Sequence, residues 1–281
     1  MEEYISKQLD ESYNGKINLL LEKWRNSYPA EDAGKFCQDG LVLKYKNKES
    51  GYDINSEWEK SPRKIMFLLK DCPDEWGYDA RTLLVGGDDE RSQTFAEETR
   101  KIKKRFFKNI ARILYGLSVM TNDYKGEELA EDMKNSIKLI NAFNEIPFAY
   151  IECKKIAGGK SCNASVLSRA IERDHIFLTE EIDILKPNII VCCDSQGVIF
   201  DKMVTYYFNG SVPDEDSRWE YDFVNEDGTK GGFNCKLYFY KEENVLLFNS
   251  YHPTALKIPD WKVYEKVFSP FRQYFSRYHA F

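Results

Sequence analysis

Four short runs rich in apolar residues, separated by segments with helical periodicity, constrain the fold of this chain more than any other feature. The runs span residues 63–69, 147–156, 188–194 and 244–248. The first of them, RKIMFLL, shows no alternation of polar and apolar residues, as expected for a strand that is covered on both faces. Strands that alternate with helices indicate a parallel sheet. We therefore predict an α/β protein, a three-layer α/β/α structure around a central, mainly parallel, four-stranded sheet.

The segments between these runs indicate how the chain is organised. Apolar residues recur at spacings of three and four over residues 98–117 and again over about 166–185, which predicts two amphipathic helices. The first 60 residues hold one helical pattern and are otherwise polar, and residues 209–243 are polar and rich in glycine. We expect one domain over residues 1–281, with an N-terminal helical extension of about 1–60. The segment at about 209–243 has one strand-like piece, KLYFYK, and should be an inserted hairpin or an excursion.

Composition narrows the class of protein. The chain has 281 residues, of which 42% are hydrophobic and 15% aromatic, which favours a substantial core over disorder. Its formal net charge of −6 is unlike that of a general nucleic-acid binder, but it does not exclude a local basic patch. No apolar run approaches the roughly 20 residues of a membrane span, and the N-terminus lacks the order of a signal peptide. We expect a cytoplasmic protein with no membrane partner.

The number and spacing of the cysteines indicate whether the chain could form disulfides or a metal site. There are seven cysteines, an odd number, and none of them form paired C-x-x-C motifs. Such a pattern does not fit a disulfide framework, a zinc site or an iron–sulfur cluster. We predict that the protein uses no metal and no cofactor.

The loops after three of the predicted strands should meet at one edge of the sheet. They span residues 70–87, 153–165 and 249–257. In an open α/β sheet the carboxyl ends of the strands are the usual place for ligands. Asp71 and His252, one of only three histidines, lie in these loops and are the first candidates for chemistry.

The stretch IAGGKS has some features of a phosphate-binding loop. That motif requires a glycine five residues before its Gly-Lys-Ser, and this position is Lys154. A tight strand-to-helix connection with Ser161 or Asn163 near the helix cap explains the stretch better. Ser161 is kept as a candidate phosphate contact.

A second candidate for phosphate contacts is the densest basic cluster of the chain, at residues 100–108. On a single helix over residues 98–117 its cations would share the polar side and form a local positive surface. A solvated helix face is the alternative that the same pattern allows. The candidate cations are Lys101, Lys104, Arg105 and Lys108.

The order of these segments resembles that of the uracil-DNA glycosylase superfamily, over roughly residues 63–270. The last strand ends SYHPTAL, where that superfamily has a His-Pro-Ser type motif, and KDCPDEWGYDARTLLVG stands where it has a Gly-x-x-Pro loop. TEEIDILKPNIIVCCDSQG is similar to the segment that leads into the superfamily's third strand, and FAYIECKK to the strand that carries its base-reading asparagine.

This resemblance implies a hydrolase that cleaves the N-glycosidic bond between deoxyribose and uracil, or another damaged base, in DNA. The base would be flipped into the site. Asp71 would handle the attacking water and stabilise the oxocarbenium-like sugar, and His252 would donate to the departing base. Thr254, in the same motif as His252, joins the candidate phosphate contacts. The implied base contacts are Cys72, Trp76, Tyr78, Glu152 and Cys153.

Two departures from the superfamily pattern leave alternatives open. Lys70 replaces the loop glycine, and Cys72 stands where some branches have a catalytic asparagine. One alternative is a protein of the same fold that binds nucleic acid or a nucleotide without cleaving it. The other is a hydrolase of small nucleotides, which suits the negative net charge better than duplex DNA does. The sequence does not identify the base or the oligomeric state.

Overall fold

The computed structural model describes residues 12–42, 53–73, 79–86, 90–158, 162–225 and 227–278. Within these ranges seven strands form one sheet, and helices cover both of its faces. The strands are β1 (Gly40–Val42), β2 (Ile65–Pro73), β3 (Phe148–Gly158), β4 (Ile189–Cys193), β5 (Arg218–Val224), β6 (Lys230–Tyr240) and β7 (Val245–Ser250). Their order across the sheet is β1-β3-β2-β4-β7-β6-β5.

The four central strands are the four that the apolar runs predict. β3, β2, β4 and β7 are neighbours in that order, and all three of their pairings are parallel. The α/β class is therefore confirmed. The prediction of a four-stranded, mainly parallel sheet is wrong, because β1, β6 and β5 add three antiparallel pairings and make a seven-stranded mixed sheet.

The strands that sequence reasoning missed carry weak signals. β1 has only three residues, too few for a recognisable pattern. β5 alternates buried and exposed residues because one of its faces meets solvent, and it lies in the polar segment 209–243. That segment contains the β5–β6 hairpin, which extends the sheet at one side through the pairing of β6 with β7.

The helices divide into two layers. They are α1 (Tyr13–Asn26), α2 (Ala30–Ala33), α3 (Ile54–Lys60), α4 (Ala80–Val85), α5 (Glu90–Arg100), α6 (Arg105–Val119), α7 (Glu127–Asp132), α8 (Ser136–Glu145), α9 (Ala164–Leu185), α10 (Val198–Lys202), which continues as a π-helical turn (Met203–Tyr207), and α11 (Asp260–Arg277); a short 3-10 helix spans Glu215–Ser217. α6, α8 and α11 pack through residues such as Phe107 and Phe271 on the face that holds Phe67. α1 and α9 pack through Trp24 and Ile171 on the other face.

The single helix predicted over residues 98–117 is interrupted. α5 ends at Arg100, whose guanidinium is buried and donates to the carbonyl oxygen of Leu84 at 2.6 Å. Ile102 then adopts a left-handed backbone, with φ of 46°, before α6 begins at Arg105. Ile102 is itself buried, so the spacing of the apolar residues continues across the break. For this reason the sequence pattern does not reveal that the helix is interrupted.

None of the helices in the described ranges combines the length and the apolar character needed to cross a membrane.

Candidate functional site

Charged and polar side chains gather where the central parallel strands end. Asp71 of β2 pairs in register with Lys154 of β3, and Glu152 lies two residues before Lys154 on the same face. Lys70 immediately precedes Asp71, so its side chain leaves β2 on the opposite face at the same edge of the sheet. His252 follows the end of β7. The charge of Asp71 raises the pKa of Glu152 and that of Lys70 lowers the pKa of His252, so the groups of each pair lie within electrostatic reach of each other. We call Lys70, Asp71, Glu152, Lys154 and His252 the carboxyl-edge cluster.

Aromatic rings link the two sides of this cluster. The ring of Phe106, in the first turn of α6, lies 5.7 Å from the imidazole of His252 and 6.4 Å from the ring of Tyr150, centroid to centroid. The hydroxyl of Tyr150 donates to Glu152 Oε1 at 2.8 Å. Phe106 therefore packs against both the imidazole of His252 and the tyrosine whose hydroxyl donates to Glu152.

The segment that carries His252 is held by α6. Asn109, which is fully buried, donates to the carbonyl oxygen of Pro253 at 2.8 Å. Arg105 donates to the carbonyl oxygens of Ala255 and Ile258 and forms an ion pair with Asp260, with Nε and Oδ1 2.7 Å apart. These bonds fix the chain on the carboxyl side of His252, so the imidazole does not depend on a loose loop for its position.

His252 is arranged as a neutral hydrogen-bond donor. Its Nδ1 lies 3.3 Å from the backbone nitrogen of Thr254 and 2.8 Å from Thr254 Oγ1. A backbone N–H can only donate, so Nδ1 is the acceptor, and in the neutral ring Nε2 carries the proton. Burial, together with the nearby charge of Lys70, lowers the pKa of His252 to about 4. At pH 7 the ring is therefore uncharged, with Nε2–H as its donor.

Asp71 lies within a strand rather than in the predicted loop. Its Oδ2 is 3.3 Å from Lys154 Nζ, and the side chains of Lys154 and Asp71 are 15% and 10% exposed. The Lys154 ammonium also donates to the carbonyl oxygen of Ile156. A Cβ added at Gly158 would collide with Asp71 Oδ2, so the first glycine of AGGKS makes room for this carboxylate. The ion pair holds Asp71 in place at the end of β2.

Glu152 is a buried carboxyl group with one oxygen free of hydrogen bonds. It is 2% exposed; Oε1 accepts from Tyr150, and Oε2 has no hydrogen-bond partner among the described residues. Burial raises the pKa of Glu152 to about 8, and the negative charges of Asp39 and Asp71 act in the same direction. At neutral pH this side chain is mostly a carboxylic acid, which offers one O–H donor.

A second group of charges lies beneath Glu152, and no motif in the sequence indicates it. Lys155 Nζ is 2.6 Å and 2.7 Å from the two carboxylate oxygens of Asp39 and 2.9 Å from Glu181 Oε2, and none of the three side chains is exposed. Asp39 Oδ2 also accepts the backbone N–H of Glu152 at 2.7 Å. This group, the buried ionic cluster, anchors β3 at the residue that carries the candidate carboxylic acid.

The two cysteines among the predicted base contacts occupy different surroundings. Cys72 is buried against Cys37 and Ala157, and its hydrogen bond with Cys37 and its burial raise the pKa of its thiol. Cys153 is fully buried in the core layer of α1 and α9. Successive residues of a strand point to opposite faces, so Cys153 is not brought together with Glu152. The remaining predicted contacts, Trp76, Tyr78 and Ser161, lie outside the described residues.

The predicted phosphate contacts are dispersed. Lys101 lies in the turn after α5, where its ammonium is 3.0 Å from the carboxylates of both Glu97 and Glu98. Lys104 is exposed at the start of α6, and Lys108 is partly buried one turn later. Arg105 is bound to the chain after His252, as described above, and Thr254 directs its hydroxyl to His252. Of the four predicted cations, Lys104 and Lys108 are the two that form no ion pair with the described residues.

Neither a metal site nor a known relative identifies this cluster. Across the described ranges, no three His, Cys, Asp or Glu side chains are grouped so as to hold a metal ion. No protein-family model matches this chain, and a search of curated proteins finds no relative.

Proposed function

We propose that this protein is a glycosylase-like hydrolase that cleaves the N-glycosidic bond of uracil, or of another damaged base, in DNA. The observation that carries the proposal is the state of His252, a neutral imidazole whose Nδ1 is occupied and whose Nε2–H is left to donate at the carboxyl edge of the sheet. A base that leaves as an anion needs such a donor at the oxygen where negative charge develops.

The two carboxyl groups of the carboxyl-edge cluster have separate roles in the proposed reaction, one at the sugar and one at the base. Loss of the base leaves an oxocarbenium-like sugar, which a nearby carboxylate stabilises. Asp71, ion-paired with Lys154, is the charged one and takes this role in the proposal. Glu152, kept protonated by burial, presents an O–H donor and a carbonyl acceptor. This pair complements the adjacent carbonyl oxygen and N–H group on the edge of a uracil-like base.

One observation favours the alternative in which the same site binds a base or nucleotide without cleaving it. Asp71 is held by Lys154 and fits closely over Gly158, so its carboxylate is less available to orient a water molecule than an unpaired carboxylate is. In this alternative the Glu152 and His252 donors still recognise the base.

The test compares three substrates under one set of conditions: single-stranded and double-stranded oligonucleotides that contain uracil, and deoxyuridine monophosphate. Abasic sites are detected by alkaline cleavage, free uracil by chromatography, and binding by fluorescence anisotropy. Abasic product supports the proposed function, binding without product supports the alternative, and release of uracil from the monophosphate alone indicates a hydrolase of small nucleotides. If the protein neither binds nor cleaves any of the three, the proposal is rejected.

A matched pair of histidine variants locates the activity. His252→Ala removes the proposed donor, and His175→Ala removes a partly buried histidine on α9 that stacks on Tyr206, with ring centroids 4.4 Å apart. Activity that His252→Ala abolishes and His175→Ala retains assigns the reaction to the carboxyl-edge cluster.

A further inference from the structure

We infer that Lys70 is a nucleophile that forms a covalent imine with the C1′ aldehyde of an abasic deoxyribose bound at the carboxyl-edge cluster. The inference rests on the proposed function, because an abasic sugar is the product that base removal leaves at this site. It adds a second chemical activity, one directed at the sugar after the base has departed.

The position of Lys70 is the first argument. It immediately precedes Asp71 in β2, and its side chain is partly buried. Its Nζ lies 3.4 Å from the carbonyl oxygen of Cys162, just before α9, and its charge is close enough to His252 to lower the pKa of the imidazole. The amine therefore lies at the carboxyl end of β2, beside the chain that leads into α9 and within electrostatic reach of His252.

The second argument comes from comparison with the other lysines at this edge. Lys154 is bound to Asp71 and to the carbonyl oxygen of Ile156, and Lys155 is enclosed by Asp39 and Glu181. Within the described part of the chain, the amine of Lys70 makes one hydrogen bond, and 3.4 Å is long for such a bond. Of Lys70, Lys154 and Lys155, Lys70 is the one whose amine is bound least tightly by the described residues.

The chemistry needs no further reactant. An abasic deoxyribose is in equilibrium with its open-chain form, which has an aldehyde at C1′. The uncharged amine, after its ammonium form loses a proton to water, attacks this carbon, and the amine's proton moves to the former aldehyde oxygen. The hydroxyl of the resulting carbinolamine takes back a proton from the solvent and leaves as water, which forms an iminium ion, as lysines do with carbonyl substrates. Water reverses the reaction and restores the free lysine.

Borohydride trapping tests the inference independently of base removal. The full-length protein is incubated with an oligonucleotide in which the abasic site has been made beforehand, and sodium borohydride is added. Borohydride supplies hydride to the iminium carbon and converts it into a stable secondary amine, seen as a protein–DNA adduct on a denaturing gel. An oligonucleotide with a tetrahydrofuran abasic analogue, which has no aldehyde, is the substrate control.

Three variants assign the adduct. Lys70→Arg keeps the positive charge near His252 but cannot form an imine, so the adduct should disappear. The exposed Lys103→Gln and Lys134→Gln should keep it. Peptide mapping of the wild-type adduct should find the sugar on Lys70. An adduct that persists in Lys70→Arg, or no adduct with the wild-type protein, overturns the inference. Base release in the uracil assay is scored separately, so the proposed function can survive that failure.

Discussion

His252 and Glu152 are both held mostly neutral at pH 7 by burial, although one is a base and the other an acid. Burial disfavours the charged form of each, so the pKa of His252 falls and that of Glu152 rises. Both side chains are therefore hydrogen-bond donors in the pH range where the protein would work. Sequence reasoning identifies both positions as candidates, but burial and partners decide their protonation, and these depend on strands distant in sequence.

We predict that His252→Ala lowers the rate of base release by about 10²-fold or more, the scale for losing one donor to a developing oxyanion. The melting temperature should change little, because α6 holds the following segment through the carbonyl oxygens of Pro253 and Ala255 rather than through the imidazole. Single-turnover kinetics and a thermal melt measure the two effects. Wild-type turnover in His252→Ala would leave this histidine with a structural role only.

A second prediction concerns Glu152 and the pH dependence of stability. Its pKa rises from the ordinary value of 4.5 to about 8 on folding, so the native state binds the proton more tightly than the unfolded state. Stability then declines as the pH rises from about 4.5 to about 8. Glu152→Gln, which stays neutral, should be more stable than the wild type at pH 8.5 by up to a few kcal/mol, the scale of such a shift. Near pH 4.5 the difference should vanish.

Urea unfolding at several pH values measures this effect. The exposed Glu242→Gln variant is the control, since a solvated carboxylate gains little from neutralisation. Equal wild-type and Glu152→Gln stabilities across the whole pH range would contradict a raised pKa for this carboxyl group.

At the scale of secondary-structure elements, the ends of β2 and β3 form the least regular part of the central sheet. Asp71 pairs with Lys154, but Pro73 pairs with Gly158, so β3 contains extra residues between these two pairs. The irregularity lets Asp71, Lys154 and Gly158 converge. The sequence shows the glycines of this turn but not why Gly158 must be a glycine. The reason is the carboxylate of Asp71, which would collide with a Cβ at Gly158 and which pairs with Lys154 across 83 residues of chain.

We predict that Gly158→Ala destabilises the protein by about 1–3 kcal/mol, the usual range for overpacking. The new methyl group would meet the oxygen of Asp71 and the ammonium of Lys154 and would push the ion pair apart. Gly34→Ala is the matched control, since Gly34 has φ of −69° and nothing within 4 Å of an added Cβ. Chemical denaturation measures both variants. Equal stabilities would mean that the turn relaxes without cost.

The interrupted α5–α6 segment separates two kinds of cation. Lys104→Ala and Lys108→Ala should weaken DNA binding and reduce the slope of log affinity against log salt by about one unit for each phosphate that the protein no longer neutralises. Arg105→Ala should instead lower the melting temperature, because it removes bonds to the segment after His252. Anisotropy titrations at several salt concentrations separate the two effects. An unchanged slope in the double lysine variant would place the DNA-binding surface elsewhere.

At the scale of the whole molecule, the apolar runs predict the four central strands and their parallel arrangement, because strands buried on both faces have a strong sequence signal. Strand β5 escapes prediction because one of its faces is exposed and its composition is polar. The buried ionic cluster escapes for a different reason. Asp39, Lys155 and Glu181 come from three distant segments, and each resembles an ordinary surface charge in its own sequence context.

We predict that Lys155→Met destabilises the protein by about 3–5 kcal/mol, the range for removing one partner of a buried charge pair. The change leaves Asp39 and Glu181 facing each other without a cation, and it should also disturb Glu152, whose backbone N–H bonds to Asp39. Urea unfolding measures the decrease in stability, with the exposed Lys103→Met as the control. A variant as stable as the wild type would show that the two carboxyl groups share a proton at no cost.

The order of the strands has a consequence for how fast the protein folds. The central strand β2 has no neighbour nearby in the chain: Asp71 meets Lys154 across 83 residues, and Lys64, at its start, bonds to Asn188 across 124. Pairings of such long sequence separation close large loops before they gain any stabilising contact, which makes folding slow and favours populated intermediates. During synthesis β2 leaves the ribosome well before β3 and β4. Its apolar surface therefore has no partner strand until they follow, and we expect the carboxyl-edge cluster, which needs β2, β3 and the segment after β7, to form late in folding.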